Sequence, residues 1–200
     1  TVIIAMKAAL MYRRKPEWQI LVTFGIKSLY DTLYNLIDYF INKALPEEPL
    51  EGNDRIDWKD RLKLLPAWGS QRYNEPGLYS RACENYNYQF QTLGSIRDKY
   101  GPGNEFDLAL RDLLEAKQEE IREHFDAILI DEGQDLPNHF YTLCMKLLKS
   151  PKRLIIGWDD MQSLGKLDIR DAKTLLGSQS DGTPYSFSGE YPGGISKDTV

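Results

Sequence analysis

The chain has 200 residues, of which 42% are hydrophobic and 12% aromatic, and its formal net charge is −5. This composition supports one sizeable buried core, alone or with a small subdomain, and it argues against disorder throughout the chain. The negative charge argues against a protein that wraps nucleic acid by bulk electrostatics, although it leaves room for a local basic groove. No apolar run is long enough to span a bilayer and no export leader is recognisable, so we expect a cytoplasmic protein with no membrane partner.

Cysteine and histidine are scarce, with two of each in the chain. The cysteines are too few and too far apart for a disulfide scaffold or a CxxC metal site. The histidines leave little material for a zinc site or a Ser-His-Asp machinery. We therefore expect buried free thiols and histidines without a catalytic role.

The start of the chain predicts a helix, a strand and a second helix. Residues 1–10 place apolar side chains on one helical stripe, and nothing before Thr1 caps that helix, so we expect the chain to begin within a longer structure. Residues 20–24 form a short apolar run rich in β-formers, which is typical of a strand buried on both faces of a parallel sheet. An amphipathic helix is predicted from Ser28 to just before Pro46.

Residues 46–104 break this rhythm with prolines, turn formers and a concentration of aromatic side chains. We predict an inserted subdomain that is irregular or helical. Helical spacing returns between Phe106 and Phe125, and residues 126–130 predict a second buried strand.

The rest of the chain continues the alternation. A helix is predicted over residues 137–148 and a third strand over residues 153–157, and after Gly177 the composition indicates a loop-like tail. Strands that alternate with helices predict an α/β fold with a parallel sheet. In such sheets the chemistry gathers at the carboxyl ends of the strands.

The most informative segment is the apolar strand that ends in Asp131 and Glu132. In phosphoryl-transfer ATPases an Asp at this place orients Mg²⁺, and an adjacent Glu polarises the attacking water. A surface turn after a strand explains a bare apolar run followed by two acids equally well, because Asp and Gly are common in turns. The residues that follow decide between these interpretations.

The string Asp131-Glu132-Gly133-Gln134-Asp135 resembles the DExQD form of the Walker B segment in Rep/UvrD-type superfamily 1 DNA helicases. The resemblance implies a RecA-like P-loop NTPase sheet flanked by helices, with ATP and Mg²⁺ as cofactors. It implies catalytic roles for Asp131 and Glu132, with Asp131 as a metal ligand, and places Gln134 and Asp135 at the nucleotide.

Residues 154–164, Leu-Ile-Ile-Gly-Trp-Asp-Asp-Met-Gln-Ser-Leu, look like motif III of the same family, with Trp158 in place of the usual Gly. By resemblance, Gln162 senses the terminal phosphate, contributes to catalysis and couples the nucleotide to the DNA groove.

Residues 21–29 resemble motif Ia, which touches single-stranded DNA, and this makes Thr23, Phe24 and Lys27 candidate DNA contacts. An aromatic face accepts any base, and stacking contributes roughly 1–3 kcal/mol per base. The alternative is that Phe24, which closes an apolar strand, belongs to the core. Trp68 is a further candidate, because its segment resembles the one that precedes DNA contacts in related helicases.

A GxxxxGK[ST] loop, whose backbone amides cradle phosphates, is missing from the sequence. Thr1 reads as the last residue of such a loop, and the resemblance then implies that it contacts Mg²⁺ and the nucleotide. We therefore expect this chain to be inactive alone and its parent to be an ATP-dependent helicase or translocase. The expected partner is single-stranded DNA, with RNA left open.

The resemblance also implies a domain organisation. Residues 1–45 and 105–177 correspond to an incomplete RecA-like ATPase domain, and residues 46–104 to its inserted subdomain. Residues 178–200 are expected to lead to a second RecA-like domain of the parent protein, which this chain does not contain.

Two alternatives from other classes remain open. An ATPase-like sheet also serves as a non-catalytic scaffold that binds nucleic acid or a protein partner, and fold alone does not exclude this. A metal-dependent nuclease would use the acids Asp131, Glu132, Asp135, Asp159 and Asp160. We rank the nuclease low, because its Glu-x-Lys signature is expected on a strand and the candidate in this chain falls on a predicted helix.

Overall fold

The computed structural model describes residues 1–48, 51, 54–70, 75–158, 175–178 and 182–185. Helices and strands alternate through these residues. The helices are α1 (Val2–Arg14), α2 (Leu29–Tyr39), α3 (Leu78–Asn85), α4 (Leu93–Tyr100), α5 (Glu105–Lys117) and α6 (Asn138–Leu147). The strands are β1 (Ile20–Phe24), β2 (Leu62–Pro66), β3 (Ala127–Asp131) and β4 (Leu154–Ile156).

The strands form one parallel sheet in the order β2-β1-β3-β4. Every residue of the central strands β1 and β3 is buried, which confirms the expectation from their unbroken apolar runs. The register pairs Ile20 with Ala127 and Phe24 with Asp131. The carboxyl ends of both strands therefore lie at the same edge of the sheet.

Helices cover both faces of the sheet, so the predicted α/β class with a parallel sheet flanked by helices is confirmed. Val22 and Phe24 belong to the hydrophobic cluster shared with α1 and α2. Leu21 and Ile128 belong to the cluster shared with α3, α5 and α6. Alternate residues of one strand thus serve two separate helical layers, as the pleat of a strand requires.

Strand β2 corrects the expectation that residues 46–104 are irregular or helical. It pairs in parallel with β1, from Ile20 beside Leu62 to Phe24 beside Pro66. Proline is tolerated because β2 is the outermost strand. The next residue, Ala67, donates its N–H to Phe24 O at 2.9 Å. Because successive residues of a strand direct their N–H groups to opposite sides, the nitrogen of Pro66, which carries no hydrogen, faces away from β1.

The aromatic side chains of the same region pack into the main core and leave no separate cluster among the residues described. Trp68 lies 4.7 Å from Phe106 between ring centroids, and Phe106 lies 5.8 Å from Phe140 of α6. Trp58 is buried in the opposite cluster, against α2. The aromatics therefore fill the space between the sheet and its helices.

Three helix boundaries also differ from the sequence expectation. Helix α2 ends at Tyr39, and a π-helical turn over Phe40–Ala44 continues it to just before Pro46. Helix α1 extends to Arg14, and α5 ends at Lys117, although the apolar spacing continues to Phe125. Ile121 and Phe125 still reach the core, from the connection that leads into β3. No described helix combines the length and the apolar character that a membrane crossing requires.

Candidate functional site

Asp131 is the last residue of β3, and its side chain lies at the carboxyl edge of the sheet. It is 1% exposed, and its Oδ1 lies 3.1 Å from the amino group of Thr1. Its Oδ2 is buried and has no hydrogen-bond partner among the described residues. An unpaired oxygen on a buried carboxylate is costly unless a ligand satisfies it. Asp131 therefore has the character of a ligand-binding group.

Thr1 is held here because α1 begins beside the ends of β3 and β4. Gly157, which follows β4, permits this approach: a Cβ at that position would lie 3.1 Å from Ile4 Cγ1 and 3.3 Å from Asp131 Oδ1. The Thr1 side chain does not cap the helix. Its hydroxyl is thus not committed to the backbone of α1, and the structure brings together the two residues expected at the metal.

The first turn of α1 adds an anion-binding feature to the same edge. The hydrogen bonds of α1 begin with the N–H of Ala5, which donates to Thr1 O at 3.1 Å. The backbone N–H groups of residues 2–4 therefore have no acceptor within the helix. These amides and the helix dipole favour a negative group at this end of the helix. The exposed fractions of Val2 and Ile3, 55% and 46%, show that this helix end is open to solvent.

Glu132 adopts the left-handed backbone conformation, with φ 52° and ψ 49°. This conformation is unfavourable for a residue with a Cβ, and such strain persists only where the surroundings enforce it. Gly133 supplies much of the enforcement: its N–H donates to Gly157 O at 2.8 Å, and its carbonyl accepts from the Tyr141 hydroxyl at 2.5 Å. The contacts of Gly133 with Gly157 and Tyr141 thus hold the turn that begins at Glu132, directly after β3.

The side chain of Glu132 is oriented by Gln134, whose Nε2 donates to Glu132 Oε2 at 2.7 Å. Glu132 is half-buried, whereas Asp135 is exposed. Of the sequence-predicted nucleotide residues, Gln134 thus acts in this structure as a positioning group for Glu132. Gln162 and the rest of its motif beyond Trp158 lie outside the described residues.

The predicted DNA contacts have mixed surroundings. Thr23 and Phe24 are 0% exposed, so neither presents a surface to a base in this conformation, which favours the core interpretation of Phe24. Trp68 is half-buried and packs on Phe106. Lys27 is exposed and forms an ion pair with Glu75.

The sequence analysis missed Tyr30, which is 38% exposed in the first turn of α2. Its ring lies 6.4 Å from the ring of Phe24 and is stacked on Tyr34 at the same distance. Its position just after the end of a buried strand is the signal that could have identified it, because side chains become accessible only where the strand ends.

The donor set fits a cation that takes most of its ligands from outside the protein. Within the described residues, no three His, Cys, Asp or Glu side chains converge as a metal-binding group. Mg²⁺ bound with a nucleotide needs only one or two carboxylates, because waters and phosphates complete its shell. The unpaired Oδ2 of Asp131 is one oxygen donor of the kind that such a cation takes.

Comparison with protein-family models, with curated proteins and with solved structures gives no match. Fold and site geometry therefore carry the functional argument.

Proposed function

We propose that this chain forms the Mg²⁺-nucleotide side of an ATP-dependent translocase or helicase that acts on single-stranded nucleic acid, with a RecA-like fold. The observation that carries the proposal is the buried carboxylate of Asp131 at the carboxyl edge of a parallel sheet, whose Oδ2 has no hydrogen-bond partner among the described residues. The motif resemblance adds support, since Thr1 and Asp131, the residues that it assigns to the metal, lie side by side although they are 130 positions apart in the chain.

The proposed nucleotide site assigns binding roles to three groups. Asp131 would hold Mg²⁺ through Oδ2, the oxygen that has no partner within the described residues. The Thr1 hydroxyl would share the metal, and the free amides of the first turn of α1 would receive phosphate oxygens. Bound Mg²⁺ would neutralise the charge that develops on the phosphate oxygens.

Glu132 would act as the general base toward water. Its carboxylate accepts a hydrogen bond from Gln134 at one oxygen, Oε2, which leaves Oε1 to accept a proton from the attacking water. The left-handed backbone of Glu132, locked by Gly133, fixes this carboxylate relative to Asp131. Such positioning matters because small displacements of a catalytic group cost orders of magnitude in rate.

The sequence lacks a GxxxxGK[ST] loop, so we expect the 200-residue chain to hydrolyse no ATP by itself. The second candidate is a scaffold that binds nucleic acid or a protein through an ATPase-like sheet without catalysis; a complete gene product without a Gly-Lys-Thr loop would favour it. The two candidates differ in whether Glu132 takes part in turnover.

The deciding experiment measures ATP hydrolysis with and without single-stranded DNA, on the complete gene product and on the 200-residue chain. We expect DNA-stimulated turnover in the complete product and none in the chain. Glu132→Gln is expected to lower kcat by about 10²–10⁴-fold with little change in KM. Glu17→Gln is the matched control, because Glu17 is exposed and lies in the loop before β1, at the opposite edge of the sheet.

Turnover that is indifferent to Glu132→Gln would contradict the catalytic assignment. A complete product with no turnover that still binds single-stranded DNA would favour the scaffold.

A further inference from the structure

A groove of about 470 Å³ lies at the β2 side of the sheet. It is lined by residues of β2 and of the connection that precedes β3, and Asp131, at the carboxyl end of β3, is not among its lining residues. Its floor is apolar and combines side chains from β2, α3, the connection into β3 and the end of α6: Leu65, Leu78, Ala82, Phe125 and Leu147. We call it the edge groove.

The edge groove exists because the sheet extends beyond the helices that cover it. Strand β2 is outermost, and its residues Lys63 and Leu65 point to the same face as Leu21. Lys63 is exposed and Leu65 is half-buried, while the equivalent positions of β1 are fully buried. The floor is thus a continuation of the hydrophobic core that the described residues leave open.

Three cations stand around this floor: Lys63, Arg81 and Arg122. Lys63 Nζ donates to the backbone carbonyls of Lys59, at 2.7 Å, and Asp60, at 3.2 Å. These acceptors are neutral, so they hold the ammonium in place without cancelling its charge.

Arg122 is held in the same way. Its Nη1 donates to the backbone carbonyls of Glu119 and Ile121. In the described part of the chain, neither Lys63 nor Arg122 forms an ion pair with a carboxylate. Both charges are therefore available to a ligand.

The remaining charges of the groove are already paired. Arg81 contacts Glu84 at 2.7 Å, and Glu123, the acid that lines the groove, contacts Lys152 at 2.7 Å. The edge groove thus carries a local positive charge on a chain whose net charge is −5. An acidic ligand is attracted to this groove, while the net negative charge of the chain acts against its binding elsewhere.

We propose that the edge groove binds a short acidic segment of a partner protein. One aliphatic or aromatic side chain of that segment would pack on the floor, and flanking carboxylates would contact Lys63 and Arg122. The volume lies within the range of ligand pockets, about 300–1,000 Å³, that bury a few side chains. This inference does not depend on the nucleotide chemistry proposed above.

The floor favours a peptide over a nucleic-acid strand. Sequence-tolerant binding of single strands needs aromatic faces on which bases stack. Phe125 is 7% exposed and Tyr86 is half-buried, so the groove does not present the series of exposed aromatic faces that successive bases would need. The other floor residues are aliphatic.

The test is a selection of random twelve-residue peptides displayed on phage against the immobilised chain. Binders are counter-selected on the variant Lys63→Glu/Arg122→Glu, and the enriched peptides are synthesised with a fluorescent label for anisotropy titration. The matched control is Arg14→Glu/Lys43→Glu, which changes the net charge equally at two exposed cations outside the groove. Circular dichroism checks that both variants are folded.

We expect enriched peptides to combine Asp or Glu with a Leu or Phe, and the Kd to weaken at least about tenfold in the groove variant but not in the control. Raising NaCl should weaken the binding, because the rim charges are exposed to screening. A selection that yields no groove-dependent binder, or binders without acidic residues, overturns the proposal. So does displacement of the peptide by oligothymidylate or by a second copy of the chain.

Discussion

The substitution Gly69→Ala tests how the segment after β2 packs on the start of α3. Gly69 has φ +84°, and a Cβ there would lie 2.3 Å from Gly77 N and 2.4 Å from Ser80 Oγ. Gly77 cannot withdraw easily, because its N–H donates to Ser80 Oγ at 2.8 Å. The added methyl group therefore meets backbone that is already held by a hydrogen bond.

The expected cost has two parts that a second variant separates. Gly101 has the same φ of +84°, but a Cβ added there would meet nothing within 4 Å, so Gly101→Ala carries only the backbone cost, about 1–3 kcal/mol. Gly69→Ala adds the displacement of packed atoms, about 2 kcal/mol more. We expect a loss of about 3–5 kcal/mol in the free energy of unfolding for Gly69→Ala.

The assay is urea-induced unfolding followed by tryptophan fluorescence, with thermal unfolding as a second measurement. For a protein of this size the loss corresponds to a decrease in Tm of roughly 6–20 °C. Gly94→Ala is the opposite control: it lies in α4 with its nearest contact at 3.7 Å, so it should stabilise by about 0.5–1 kcal/mol. If Gly69→Ala costs no more than Gly101→Ala, the close approach of Gly69 to Gly77 is refuted.

Three further predictions concern buried polar groups. Burial acts to raise the pKa of Asp112, but the hydrogen bonds from Lys99 and its other partners outweigh it and hold the pKa below its ordinary value. The Asp112 carboxylate therefore stabilises the fold fully above its unfolded-state pKa, and this contribution is lost as pH falls through the lower folded-state pKa. We expect Asp112→Asn to cost about 1–3 kcal/mol of the free energy of unfolding at pH 7. It should also flatten the acid limb of a titration of stability against pH. Thr23→Val should be neutral or stabilising in the same unfolding assay, because the buried Thr23 hydroxyl has no partner in the described structure; unchanged stability with weakened binding to oligothymidylate would instead support a DNA contact. Burial raises the pKa of Cys83 to about 11 and also raises the pKa of the fully buried Cys144. We expect Ellman's reagent to react with neither thiol until guanidinium unfolds the chain. Rapid labelling of the native protein would contradict the burial of these thiols.

The central strands were predictable because their physical requirement is simple. A strand covered by helices on both faces must be apolar at every position, and the runs of β1 and β3 are short, unbroken and rich in β-branched residues. The acids that follow β3 were predictable at the carboxyl edge for the same reason, since a parallel strand delivers its next residues there. The assignment of Thr1 and Asp131 to one site came from the motif resemblance alone and stays a prediction.

Strand β2 was not predictable from the same signal. An edge strand needs only one protected side, so Leu62-Lys63-Leu64-Leu65-Pro66 includes a charge and a proline that a central strand would exclude. The aromatic side chains around β2 also suggested a separate subdomain. Composition does not show with which hydrophobic cluster an aromatic ring packs.

The candidate DNA contacts show another limit of the sequence. A contiguous apolar run does not show where accessibility begins, and Thr23 and Phe24 are still within the strand. The accessible side chains begin only at Ile26 and Lys27, beyond Gly25. Glu132 presents the same difficulty in another form, because its left-handed backbone depends on contacts from Gly157 and Tyr141 that are distant in sequence.

The pairing order of the sheet has a consequence for folding during synthesis. The bond between Gln19 N and Asp126 Oδ2, beside the start of β1 and β3, spans 107 positions, which a ribosome takes roughly 5–20 s to add. Throughout that interval β1 is an apolar strand with an unpaired edge, which is the kind of segment that associates with other chains. Strand β2 leaves the ribosome much earlier and pairs with the opposite edge of β1. We expect β2 to protect one edge of β1 while the other edge stays unpaired until β3 has been synthesised.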